Sequence, residues 1–225
     1  MPIATIPPIV HLFWVPPDGA SEHVPNEILE SLESWEAMHP NVDCKLWLEN
    51  DVLDALKDSH PQFMEAFKLC RLPAMRADLV RIALLYKYGG FWSDLRNKAL
   101  APFLSGLLPV SKPILVEHFQ MPSRPDPSRY LCTSFMGSPR ESELMKDFLA
   151  NVIENVINRR KGGIFNLTGA GALMNFIEKK GLLDNDYLIL HWHYFWDLCL
   201  KRTPGKYNAT RGHWSVRQKN EALFL

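Results

Sequence analysis

Asp78 and Arg81 lie three residues apart in the stretch from Pro73 to Tyr88, and on a helix that spacing puts a carboxylate and a guanidinium on one face. On a solvated surface this would be an ordinary ion pair. Here Leu79, Val80, Ile82, Ala83, Leu84 and Leu85 make the helix apolar nearly all round, the pattern of a buried helix. A buried Asp and Arg have to be paired or bind something, and ionisable groups in such surroundings are candidates for a functional site. Gly89-Gly90 stops the helix, and a short apolar run then ends in Asp94, with Arg96 two residues beyond. An Asp at a strand end is commonly a turn or cap residue. It also stands where open α/β sheets bind their ligands, outside the carboxyl ends of the strands.

The elements that must position these groups can be read from hydrophobic period and punctuation. IVHLFWV (9–15) reads as a buried strand closed by Pro16-Pro17-Asp18-Gly19. Residues 25–38 read as a helix, with Pro25 near its start and Ile28, Leu29, Leu32 and Trp35 at helical spacing. CKLWL (44–48) is a second strand, and helices follow over about 50–57 and 61–69. The 73–88 helix opens on Pro73, which suits a first turn, and Gly89 suits its C-terminal cap. Strands are expected over 91–95, 113–119, 131–137 and 187–190, with an exposed Pro-rich loop over 121–129. A long amphipathic helix over 141–160 ends in a basic turn, and Thr168 is placed to cap a helix that Gly181 stops. Strands and helices alternate through the first half. That predicts an α/β fold with a mostly parallel central sheet covered by helices on both faces. Trp14 and Asp94 then fall near carboxyl ends of strands.

Composition bounds the rest. The 225 residues fit one domain, with residues 1–100 and 101–225 as its two halves. Lys+Arg and Asp+Glu are 25 each, so charge gives no case for a nucleic-acid or membrane-surface partner. No segment approaches the roughly 20 apolar residues of a membrane span. The N-terminus lacks a basic n-region, which predicts no signal peptide and a cytoplasmic protein. Cys44, Cys70, Cys132 and Cys199 are far apart, without zinc-ligand spacing, and read as free thiols of a reducing compartment.

Ala74, Ala77, Asp78, Arg81, Leu85, Gly89, Gly90, Trp92 and Asp94 stand at the spacing of one signature. It resembles that of the Gly-rich, DxD-bearing glycosyltransferases: the α-1,6-mannosyltransferase-like family 32 and the glucosylating bacterial toxins. Ile6-Pro7-Pro8-Ile9-Val10-His11-Leu12-Phe13-Trp14 is similar to their opening strand. Ser34-Trp35, Pro40 and Trp47 match a following block, Ser134 to Pro139 a later strand, and Thr168 to Leu173 a TGPG-like turn with Ala170 in place of Pro. The motifs run in order along nearly the whole chain, and are loosest after residue 180.

The resemblance implies a GT-A-type fold and transfer of a hexose, with retention of configuration, from a UDP- or GDP-sugar to a carbohydrate, lipid or protein hydroxyl. It implies that Trp14 stacks on the base, that Asp78 and Arg81 meet the donor sugar, and that Asp94 contacts the ribose or a bridging Mn²⁺ or Mg²⁺. His11, Ala77, Gly90 and Trp92 would line the donor site. Thr168 and Gly169 would present a helix N-terminus to it, and His213, Trp214 and Ser215 would form a lid that excludes water.

One position departs from the pattern. Where the second Asp of Asp-x-Asp ligates the metal in the relatives, this chain has Arg96, and an Arg cannot ligate a cation. Arg96 takes over the metal's charge by forking onto diphosphate oxygens, or the site is degenerate and the protein only binds nucleotide sugar or acts as a scaffold, or Asn97 or another carboxylate supplies the missing ligand. A nucleotide-sugar hydrolase is a further alternative, if the lid closes poorly. His191-Trp192-His193, read as a strand end, could hold a metal by its two imidazoles but has no completing ligand at useful spacing. Glu117-His118 ends a strand and could face the cleft.

Overall fold

The structure, a computed structural model, describes residues 4–16, 23–117, 131–182, 185–202 and 213–225. The loop expected over 121–129, together with His118, lies outside the described residues. A six-stranded sheet carries the fold, in the order β2 (Asp43–Trp47), β1 (Ile9–Phe13), β3 (Gly90–Ser93), β6 (Leu131–Ser138), β5 (Ile114–Glu117), β7 (Leu188–Leu190). β1 is parallel to both β2 and β3, β5 is parallel to β7, and β6 runs antiparallel between β3 and β5. Five strands therefore point one way and β6 the other, and the strands of the two halves of the chain lie side by side in one sheet, meeting at the β3–β6 pair.

Alternation along each strand sorts side chains to two cores. Val10, Leu12, Phe91, Ile114, Val116 and Phe135 go to one face, where they meet Trp35 of α1 (Asn26–Met38), Leu104 of a 3-10 turn and Phe195 of a π-helical turn (Phe195–Cys199). Phe13, Trp47, Trp92, Leu115, Leu131 and Met136 go to the other. There they pack on α2 (Glu49–Leu56), α3 (Phe63–Leu69), α4 (Pro73–Tyr88), α5 (Glu143–Ile157) and α7 (Ala170–Lys180). Helices thus cover both faces, as the alternating elements predict, and the four cysteines are free. Among the described residues no helix is long and apolar enough to cross a membrane.

The join between α4 and β3 is tight for a stated reason. Gly89 caps α4 at φ +66°, and Gly90 enters the sheet at φ +88°. A Cβ on Gly90 would sit 2.5 Å from the Ile9 carbonyl oxygen, so only glycine lets β3 close against β1. Strand packing alone therefore fixes position 90 as glycine.

Several local expectations are corrected. α5 stops at Ile157, and Arg159 turns the chain at φ +46°, so Arg159-Arg160-Lys161 follows the helix instead of forming its last turn. Gly169, not Thr168, occupies the N-cap of α7. His191-Trp192-His193 is not a strand end: His191 caps a helical turn, α8 (Trp192–Tyr194), by accepting from the His193 amide. A two-stranded antiparallel ribbon of β4 (Asn97–Ala99) and β8 (Leu200–Arg202), unforeseen in the sequence, ties the residues after Asp94 to the late part of the chain.

Candidate active site

Four elements converge on one buried cluster. α4 supplies Asp78 and Arg81, which are 7% and 5% exposed. Arg81 donates from Nη1 to Asp78 Oδ1 at 2.9 Å and from Nη2 to Asp94 Oδ1 at 3.2 Å. Asp94, the first residue past β3, also accepts from the Trp92 indole N–H at 2.9 Å, and its side chain stays 31% exposed. The Arg81 guanidinium lies 5.1 Å from the centre of the Trp92 ring, a cation–π contact in a desolvated setting. From the turn before α7, Thr168 Oγ1 donates to Asp78 Oδ2 at 2.7 Å. The Asp94 amide donates to the Ser134 carbonyl of β6 at 2.8 Å, and the Asn97 amide closes a turn onto the Asp94 carbonyl at 2.9 Å.

Burial pushes the Asp78 carboxyl up, opposed by the charge of Arg81 and the hydroxyl of Thr168. Both Asp78 oxygens are taken by protein donors, so Asp78 orients Arg81 where the resemblance has it meeting a ligand directly. Arg81 in turn neutralises Asp94 and leaves its own Nε buried with no partner. The half-exposed rim of the cluster is Asp94.

Trp14 leaves the sheet one residue past β1, beside β3, and so at the same end as Asp94. Its amide donates to the Trp47 carbonyl at 3.0 Å, while its buried indole N–H has no partner. Ala77 is half-buried next to Asp78. Gly169 lies at the α7 N-terminus, where a Cβ would stand 3.3 Å from the Phe165 backbone.

Two predicted site residues turn out to be interior. His11 is wholly buried: its Nε2–H donates to the Gly89 carbonyl at 2.8 Å and its Nδ1 accepts from the Trp47 indole at 3.1 Å. It braces the α4–β3 join and has no nitrogen left for a ligand. Trp92, 2% exposed, orients Asp94 from within the core.

His213, Trp214 and Ser215 begin α9 (Trp214–Asn220), with His213 Nδ1 and Ser215 Oγ 2.7 Å apart. Trp214 packs at the edge of the helix-side core, and Gln218 Oε1 accepts from the Ile164 amide at 3.0 Å. The chain end is docked as well: Arg71 N donates to the Leu223 carbonyl and Leu225 N to the Leu69 carbonyl, each at 3.0 Å. Glu117 ends β5 at the same end of the sheet as Asp94 and faces the His191 imidazole at 3.7 Å. A cavity of about 430 Å³ bordered by Lys112, Arg140 and Asp147 opens at the opposite end, the amino ends of β3 and β5. Chemistry, not cavity size, therefore locates the site.

Replacing Thr168 with Val is expected to cost about 1–3 kcal/mol, because it strips a buried carboxylate oxygen of its only donor among the described residues. Thr168→Ser should keep most of that. Urea unfolding of the two variants checks it, and equal losses would show that the methyl group matters and the hydroxyl does not.

Part of this chain is similar to known proteins. Residues 25–105 match the family model described as "Glycosyltransferase sugar-binding region containing DXD motif". The matched stretch holds Asp78, Arg81 and Asp94, whereas Thr168 and Ser134 lie outside it.

Inositol phosphoceramide mannosyltransferase 3 of Schizosaccharomyces pombe is 30% identical over 104 residues, 45% of this chain and 28% of that protein. The mannosyl phosphorylinositol ceramide synthase SUR1 of Saccharomyces cerevisiae is 28% identical over 103 residues, 44% of this chain and 26% of that protein. The match thus spans about a quarter of the length of these curated relatives. Among solved structures, PaToxG glycosyltransferase superposes with a TM-score of 0.55 at 13% identity, covering 80% of this chain and 71% of that one. The fold is accordingly that of a GT-A-type glycosyltransferase, and the glycosyltransferase-type sheet places the Asp78–Arg81–Asp94 cluster at its carboxyl ends.

Proposed function

We propose that this protein transfers a hexose from a nucleotide diphosphate sugar to a hydroxyl acceptor with retention of configuration. The observation that carries the reading is the buried Asp78–Arg81–Asp94 relay, held by Thr168 and Trp92 and open to solvent at Asp94. In the reaction the bond from the anomeric carbon to the β-phosphate oxygen breaks, and the diphosphate leaves with the electron pair. The acceptor oxygen bonds to the same carbon from the same face, and its proton passes to the departing phosphate.

In this scheme the carboxylate of Asp94 accepts from ribose or sugar hydroxyls, and Trp14 stacks on the base. Asp78 is a positioning residue, because it acts through Arg81. The α6 (Ile164–Leu167) to α7 turn, with Thr168 and Gly169, closes the sugar side. His213, Trp214 and Ser215 open α9, which is tied to the start of α6 by the Ile164 amide donating to Gln218, and in this scheme they screen the donor from water.

The similarity to fungal mannosyltransferases makes GDP-mannose the first donor to test and inositol phosphoceramide the first acceptor, alongside UDP-glucose and polysaccharide acceptors. Radiolabelled donor incubated with and without acceptor decides the matter. Acceptor-dependent product supports the proposal, release of free sugar alone would make the protein a nucleotide-sugar hydrolase, and neither would leave a binding or scaffold protein.

A further inference from the structure

Glycosyltransferases of the DXD type commonly hold the donor's diphosphate through a divalent cation, and the residues present here do not fit one. A Mn²⁺ or Mg²⁺ site needs several free oxygen ligands. Asp94 Oδ1 already accepts from the Trp92 indole at 2.9 Å and from Arg81 at 3.2 Å. Its counter-charge is therefore a guanidinium in contact, which repels a second cation. Asp78 has Arg81 on one oxygen and Thr168 on the other.

Two residues past Asp94 the half-buried side chain is Arg96, an obligate cation. Asn97, the next oxygen-bearing side chain, is fully buried, with Nδ2 donating to the Ser134 carbonyl and a backbone carbonyl that accepts from Ser31 and Trp35. Its Oδ1 has no partner but faces no solvent through which a bridging ion could reach it. Among the described residues no three His, Cys, Asp or Glu side chains gather closely enough to hold a metal ion.

We infer that this chain binds the donor diphosphate without a divalent cation, and that the guanidinium of Arg96, on the turn that follows Asp94, supplies the positive charge. The inference rests on the glycosyltransferase reading. Arg96 starts from a fixed base: the turn is closed by the Asn97 amide on the Asp94 carbonyl, and β4 beyond it is locked to β8. A planar fork matches two phosphate oxygens and, unlike a hydrated metal, carries its charge into the site permanently. As the nucleoside diphosphate leaves, that charge is already placed where negative charge grows.

Calorimetric titration of the protein with GDP-mannose, UDP-glucose, GDP and UDP tests this, once in EDTA and once with Mn²⁺. The free Mn²⁺ electron paramagnetic resonance signal is followed in parallel. The expected result is binding of one donor in EDTA, a Kd that moves less than about 2-fold with Mn²⁺, and an unchanged Mn²⁺ signal. Arg96→Ala should weaken binding roughly 10- to 100-fold in EDTA, the range for loss of hydrogen bonds to a charged group. Arg96→Lys should recover part of it. Arg96→Asp should either abolish binding in EDTA or make it depend on Mn²⁺. Binding of wild type only with Mn²⁺, with loss of the free-ion signal, overturns the inference and leaves the transferase reading intact. Arg96→Ala binding as tightly as wild type overturns the role of Arg96. No binding of any nucleotide under either condition overturns the donor reading and the inference with it.

Discussion

Arg81→Ala should lose about 3–5 kcal/mol of folding stability, the range measured when one partner of a buried ion pair is removed, and with it donor binding. Arg81 joins two carboxylates that no other described cation reaches, one of them 7% exposed. Without the guanidinium, among the described residues Asp78 keeps only the Thr168 hydroxyl and Asp94 only the Trp92 indole. The two negative charges then face each other across a desolvated gap. Lys cannot substitute, because one ammonium does not fork between two acceptors. Urea unfolding and donor calorimetry read the two losses separately.

A double variant, Asp78→Leu with Arg81→Met, separates folding from function. Removing both partners of a buried pair is often neutral or stabilising, so the double variant should unfold near wild type and still fail to bind donor. Normal donor affinity in that variant would show the pair to be structural only.

Acid should weaken the fold through His11 by roughly 3 kcal/mol, from the linkage between a native pKa of about 4 and an ordinary value of 6.5. Burial is the main cause of the shift, and the hydrogen bonds give it a structural meaning. Nδ1 can accept from Trp47 only while His11 is neutral, with its proton on Nε2 for the Gly89 carbonyl. The unfolded chain takes up a proton at about pH 6.5, which the folded one refuses until about pH 4. Stability is therefore complete above pH 6.5 and declines as pH falls toward 4, where the decline from this residue ends. His39, stacked on Trp35 and buried, is also lowered to about 4 and adds in the same direction. Urea midpoints between pH 7.5 and 4 report the sum, and an NMR titration of the His11 ring isolates its share. A His11 resonance that titrates near 6.5 would sink the argument.

The parts of this site that could be read in the sequence are those set by local spacing. Asp78 and Arg81 share a helical face because helical period is local, and the double glycine marks where α4 must end and β3 begin. The alternation of strands and helices foretold the sheet direction, except that β6 runs against it, since no local signal distinguishes a hairpin partner from a crossover strand. Thr168 was legible only as a helix cap. Its actual acceptor, Asp78, stands 90 residues away, and the hydroxyl serves that carboxylate at 2.7 Å instead of the α7 amides. β4 and β8 were illegible for another reason: three residues each, NKA and LKR, carry no alternation to detect. His11 misled because its place in the opening strand that the resemblance rests on does not reveal its burial. Such failures fall where tertiary contacts decide what a side chain does.

The bond from Thr168 to Asp78 also bears on how the protein comes into being. The stretch that matches the sugar-binding family model, residues 25–105, holds the acidic and basic groups of the cluster, yet the hydroxyl and the Ser134 carbonyl that finish it come from outside that stretch. Expressed by itself, the stretch would have to bury an unsatisfied carboxylate oxygen and would also lack β6, the neighbour of β3 in the sheet. It is therefore not a portable binding module. During synthesis the first 105 residues leave the ribosome before the groups that complete the site exist. The cluster can set only after loops of such length have closed, which is slow, so competence to bind should be the last property the folding chain acquires.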